Sequence, residues 1–161
     1  MSETKYGKYI LKEPLEKIRG YPSLHACGHE ECFVKFPGFP ADFQLIYITE
    51  PFTMVDRPHW HEVDELLFIW GSNPANFFDF DAEIEVYLGE EQEKHIINYT
   101  SIIYVPKRLP HGPIIIKRVN KPFLWGHILF SPVYTGVGHQ VPSHKERQPY
   151  TPEEAKRLRG R

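Results

Sequence analysis

The chain has 161 residues, 41% of them hydrophobic and 25% charged, with a formal net charge of −2 at pH 7. That length supports one domain, residues 1–161, with a core that needs no staples; the small net charge supplies no field to draw in nucleic acid or an anionic membrane. Nine histidines stand against two cysteines, too few for a disulfide scaffold, and the fifteen prolines are about twice the average usage. MSETKYGKYILKEP has no apolar run of signal-peptide length and no segment approaches a membrane span, so a cytoplasmic location is expected.

In chain order, KYGKYIL (5–11) reads as a first strand and EPLEKIRG (13–20) as a helical turn or two closed by Gly20. HACGHEEC crowds His25, Cys27, His29 and Cys32 into eight residues. Structural zinc sites draw on two separated pairs, so a surface or edge loop is the reading preferred over a second metal site.

From about residue 32 the texture is β. FQLIYITE and ELLFIW are near-continuous apolar runs, while AEIEVYLG alternates, with Glu83, Glu85 and Tyr87 on one face and Ile84, Val86 and Leu88 on the other. SIIYVP, GPIIIKRV and FLWGHILF complete at least six candidate strands, separated by turn signals such as GSNP, GEEQEK and VNKP. Many short strands without intervening helices predict an antiparallel sandwich or barrel with its core over about 32–131. After residue 131 a polar tail is expected, ending in a short peripheral helix where Thr151, Pro152 and Glu154 form a capping box.

The run RPHWHEVDELLFIWG (57–71) carries the chemistry. In a strand His59, His61 and Glu65 share parity and point one way. Buried together without partners they would cost several kcal/mol, and a divalent cation removes that cost by taking all three as ligands. His111, in PKRLPHGP, is a fourth candidate. Imidazole plus carboxylate suits iron, zinc, nickel, manganese or copper better than calcium. The competing reading is a solvated HWHEVDE loop with its histidines in water.

Two stretches add a resemblance. His59, His61 and Glu65, with Gly71 six residues further on, resemble the first motif of the cupin superfamily, and YVPKRLPHGP, with Pro106 five residues before His111, resembles the second. The resemblance covers about residues 40–131. It implies a double-stranded β-helix (jelly-roll) barrel with short peripheral helices at the termini, and a metal held by His59, His61, Glu65 and His111. The family's framework glycines fall here on Thr53, Thr100 and Arg108, its asparagine on Ile115, and the tyrosine of some cupin lyases on Leu67.

His127 shares parity with Phe123, Trp125 and Leu129, and if that face points inward it is a partner of the ligands or an acid–base group. Tyr104 could offer a phenol to a substrate or pack in the core. The function expected is a metal-dependent enzyme acting on a small oxygenated substrate, by oxygenase, isomerase, decarboxylase or lyase chemistry. The alternatives are a metal-anchored binding or sensor module that turns nothing over, and a barrel that holds metal only as a staple. A homodimer is expected, with KYGKYIL laid along a neighbour's edge and Trp60, Phe68 and Trp70 on the outer face.

Overall fold

A computed structural model describes residues 4–10, 15–18, 23–28, 40–131, 136–138 and 147–158. Thirteen strands occur among them: β1 (Leu15–Ile18), β2 (Ser23–Gly28), β3 (Asp42–Ile48), β4 (Phe52–Val55), β5 (Trp60–His61), β6 (Glu65–Gly71) and β7 (Ala82–Leu88) come first. β8 (Glu93–Ile97), β9 (Ser101–Val105), β10 (His111–Val119), β11 (Phe123–Leu129), β12 (Gly136–Val137) and β13 (Arg147–Pro149) follow, then helix α1 (Pro152–Leu158).

The pairing is nested: β3 with β11, β4 with β10, β6 with β9 and β7 with β8, all antiparallel. One long hairpin has been rolled up, and further pairings of β11 with β6 and β10 with β7 close two sheets, β13-β1-β2-β3-β11-β6-β9 and β4-β10-β7-β8. This is the expected double-stranded β-helix. Alternation does the packing. In β6 Glu65, Leu67, Ile69 and Gly71 are buried while Leu66, Phe68 and Trp70 are half-buried, and in β7 Ala82, Ile84 and Val86 face the core. Register polarises the interior. Ile48, Phe123 and Gly71 align at one end, whereas Asp42, Leu129 and Glu65 align at the other. The polar end holds the site.

Three expectations outside the barrel change. Residues 5–10 of KYGKYIL are not a strand: Gly7–Tyr9 form a 3-10 turn, with N–H groups of Gly7, Tyr9 and Ile10 bonded to carbonyls three residues back at 3.0, 3.0 and 3.1 Å. Gly7 weakens a strand there, and Tyr6, Tyr9 and Ile10 have the spacing of a turn. EPLEKIRG contains strand β1 instead of a helix, because its backbone finds β2 on one side and β13 on the other, and four residues have little helical preference to set against that ladder. The tail beyond residue 131 is likewise used, β12 pairing with β5 and β13 with β1. The capping box forms as expected: Thr151 N–H donates to Glu154 Oε2 at 2.9 Å and Glu154 N–H to Thr151 Oγ1 at 3.3 Å.

Candidate metal centre

Backbone pairing brings the two histidine stretches together. His59 N–H donates to the His111 carbonyl at 3.0 Å and His111 N–H to that of His59 at 2.8 Å, an isolated antiparallel bridge. His61 follows in β5, covered by Gly136 of β12. The chain then bends over residues 62–64 before β6 starts at Glu65, so the shared parity of His61 and Glu65 does not come from one unbroken strand. The bend is strapped to the turn before His111: Arg108 N–H donates to the His61 carbonyl at 2.7 Å, Lys107 N–H to Asp64 Oδ1 at 2.9 Å, and the Arg108 guanidinium pairs with Glu62.

The side chains converge. His59, His61, Glu65 and His111 are all buried, and the three histidines offer ligand nitrogens within 4.8 Å of one another. The rings of His59 and His111 are 4.0 Å apart, those of His59 and His61 5.0 Å, and those of His61 and His111 5.1 Å. Oε2 of Glu65 lies 3.5 Å from His61 Nε2 and 3.1 Å from His111 Nε2. Nδ1 of His111 donates to the Leu109 carbonyl at 3.1 Å, which turns Nε2 inward.

Burial acts hardest on Glu65 and pushes its pKa up. His111 at hydrogen-bonding distance, with the positive potential of His127, His111 and His61, more than offsets this, and the carboxyl is held below its ordinary value. Its Oε2 is nevertheless buried without a well-aligned hydrogen bond. Three imidazoles clustered within 4.8 Å, with a buried carboxylate oxygen beside two of them, form a donor set that fits a divalent transition metal.

His127 faces inward with Phe123, Trp125 and Leu129, and its Nδ1 is 3.8 Å from Glu65 Oε1. Tyr104 is not brought to the centre. It stands on the outer face with Ile102, 57% exposed, and desolvation together with the neighbouring Asp64 raises the pKa of its phenol, the reverse of activation. Asp42 was not singled out by its sequence context, yet it is fully buried, with Oδ2 3.6 Å from His127 Nε2. Only its place as the first inward residue ahead of FQLIYI hinted at this. The side chains of His25 and Cys27, and all of His29 and Cys32, lie outside the described residues.

No protein-family model matches the sequence, and no curated protein matches it. Solved structures do. An oxalate oxidase matches at 12% identity and a TM-score of 0.47, over 71% of this chain and 54% of that one. A cupin superfamily protein from Desulfitobacterium hafniense matches at 13% identity and a TM-score of 0.40, over 58% and 70%. Vicilin from hazelnut, Corylus avellana, matches at 14% identity and a TM-score of 0.46, over 76% and 33%. The chain thus spans about half the length of the oxalate oxidase. At identities of 12–14% and TM-scores below 0.5 these likenesses carry no argument about substrate or activity.

Proposed function

We propose that this chain, a double-stranded β-helix barrel by its strand order, is a cupin-type metal-dependent enzyme acting on a small oxygenated substrate such as an enol, diol, keto acid or phenol. The observation that carries this is the cluster of three buried imidazoles at the polar end of the barrel, with the Glu65 carboxylate beside two of them. When bound, an iron, zinc, nickel, manganese or copper ion supplies a Lewis acid that polarises a substrate oxygen.

The chain's own residues prepare that chemistry. His59, His61 and His111 would hold the ion through ring nitrogens, and the Leu109 carbonyl fixes which nitrogen His111 presents. Glu65 would contribute Oε2 and one negative charge. Val105 and Leu129, buried and directly across from Glu65 on β9 and β11, keep water from the carboxylate. Oxygenase, isomerase, decarboxylase and lyase chemistry are all compatible with this donor set. The working unit we propose is a homodimer of one-domain chains in the cytoplasm.

Elemental analysis of the natively purified protein, followed by turnover on a panel of carbonyl and phenolic compounds, tests the reading. About one transition metal per chain with turnover supports it. Metal without turnover across the panel would make the chain a metal-anchored binding module, and absence of metal uptake would overturn the site.

A further inference from the structure

Register in the larger sheet sets one imidazole between two buried carboxylates. Asp42 on β3 and Glu65 on β6 both stand directly across from Leu129 of β11, one on each side. His127 is the adjacent inward-facing residue of β11, so its ring reaches diagonally toward both. Nε2 lies 3.6 Å from Oδ2 of Asp42 and Nδ1 lies 3.8 Å from Oε1 of Glu65. The two oxygens of Glu65 therefore face different surroundings, Oε1 toward His127 and Oε2 toward His61 and His111.

We propose that Asp42 and His127 form a carboxylate–imidazole clamp that sets the rotation of the Glu65 carboxylate, so that Oε2 alone is presented to the metal. The inference rests on the metal reading above. A glutamate's terminal torsion is broad and two-fold, so nothing in its own side chain selects one oxygen. A ring fixed beside Oε1 does. The ring in turn needs an anchor at its far nitrogen, and Asp42 stands there.

The burial of Asp42 argues for a use. It is 0% exposed at the polar end of β3, whereas Ile46 and Ile48 occupy the inward positions at the other end of the same strand. A carboxylate taken wholly out of water is retained only where something compensates it. At 3.6 and 3.8 Å the contacts with His127 are longer than hydrogen bonds, and they act on orientation. His127 is then a positioning residue, and Asp42 acts through it. Partners of this kind behind a metal ligand typically matter about 10–100-fold in affinity.

The test uses the full chain loaded with Co(II), whose visible absorption reports ligand geometry and whose affinity is read by competition with a chromophoric chelator. Asp42→Asn keeps the shape and removes the charge. It is expected to bind Co(II) about 10–100-fold more weakly, with shifted visible bands and an unchanged far-UV circular dichroism spectrum. His127→Gln is expected to do the same, and Asp42→Asn added to His127→Gln should bring no further loss. Wild-type affinity and bands in Asp42→Asn would overturn the clamp, as would losses that multiply in the double variant. If Asp42→Asn fails to fold, His127→Gln decides: an unchanged affinity and spectrum overturn the proposal. A wild-type chain that takes up no Co(II) would instead overturn the metal reading, and this inference with it.

Discussion

Oε2 of Glu65 and Nε2 of His111 stand 3.1 Å apart across the barrel mouth, although 45 residues separate them in sequence. The other nitrogen of the His111 ring is committed to a backbone carbonyl. On the metal reading proposed above, both facing atoms are ligand positions. Glu65→Gln and His61→Ala are expected to lose metal affinity by more than about 100-fold, beyond what the loss of an outer partner costs. The barrel should stay folded, since Ile46, Ile69, Ile84, Ile116 and Trp125 carry its core independently of the site. Metal content by elemental analysis and circular dichroism of the same samples check this. Unfolding of the chelated wild type at room temperature would make the metal a structural staple instead.

Two glycines separate stability from metal binding. Gly112, next to His111, has φ +96°, and a Cβ there would lie 2.9 Å from the Arg57 carbonyl oxygen. At Gly71, at the apolar end, a Cβ would lie 2.6 Å from the Phe77 carbonyl oxygen and 2.7 Å from that of Asp79. Alanine at either is expected to cost about 2 kcal/mol or more by denaturant titration. Gly112→Ala should also weaken metal binding by displacing His111. Gly71→Ala should leave the affinity of its folded fraction unchanged, and a matching loss there would break the distinction.

Those glycines also mark what was legible in the sequence. Gly71 stands out by its spacing from Glu65, but the loop carbonyls that require it come from residues 77 and 79, brought there by folding. Arg108 occupies an expected glycine position and has a left-handed backbone, with φ 65°, its guanidinium paired to Glu62. Thr100, at another, accepts from Gly71 N–H at 3.3 Å and donates to the Phe77 carbonyl, tying the same loop. The ligand candidates were readable because type and spacing carry the chemistry. Asp42 was not, since its neighbours in sequence are unremarkable and its use follows from the register of β3 against β11. Strand β1 is illegible for the same reason: local spacing in residues 13–20 is silent about β2 and β13. Tyr104 shared parity with Ile102 as expected, but parity alone does not say which face is inside.

The loop that covers Gly71 is held by ion pairs that respond to pH. The Asp79 carboxyl is held below its ordinary value by hydrogen bonds from Lys121 and Asn73, and that of Asp81 by hydrogen bonds from Arg118 and Asn120. A folded pKa below the unfolded one contributes stability that is complete above the unfolded value, about 3.9, and is lost as pH falls through the folded value. The urea midpoint of wild type should therefore exceed that of Asp79→Asn/Asp81→Asn at pH 7, and the gap should close on acidification below about pH 3.9. Both groups are water-accessible, so the gap should be small and shrink in salt. A gap that persists at low pH would assign it to packing of the loop.

The homodimer proposed above would use the outer face of the larger sheet. Leu66 pairs across to Tyr104 and Ile128, and Phe68 pairs to Ile102, so apolar side chains from three adjacent strands form one surface. Ile102 is 60% exposed and Tyr104 57%. Trp70 extends the patch toward Phe77, with their rings 6.3 Å apart. β9 ends the sheet among the described residues, which leaves its outer edge available for pairing. A two-fold contact sets a patch against itself, and the apolar side chains of this one meet their own copies without like-charge repulsion. Residues 5–11 were expected to lie along the neighbour's edge, but Gly7–Tyr9 form a 3-10 turn, so the edge offered is that of β9 itself. Light scattering at micromolar concentration should give roughly twice 18.9 kDa, and Ile102→Lys should return the mass to 18.9 kDa while metal content stays unchanged. A wild-type mass of 18.9 kDa would reject the dimer, and a dimer untouched by Ile102→Lys would move its interface to another face.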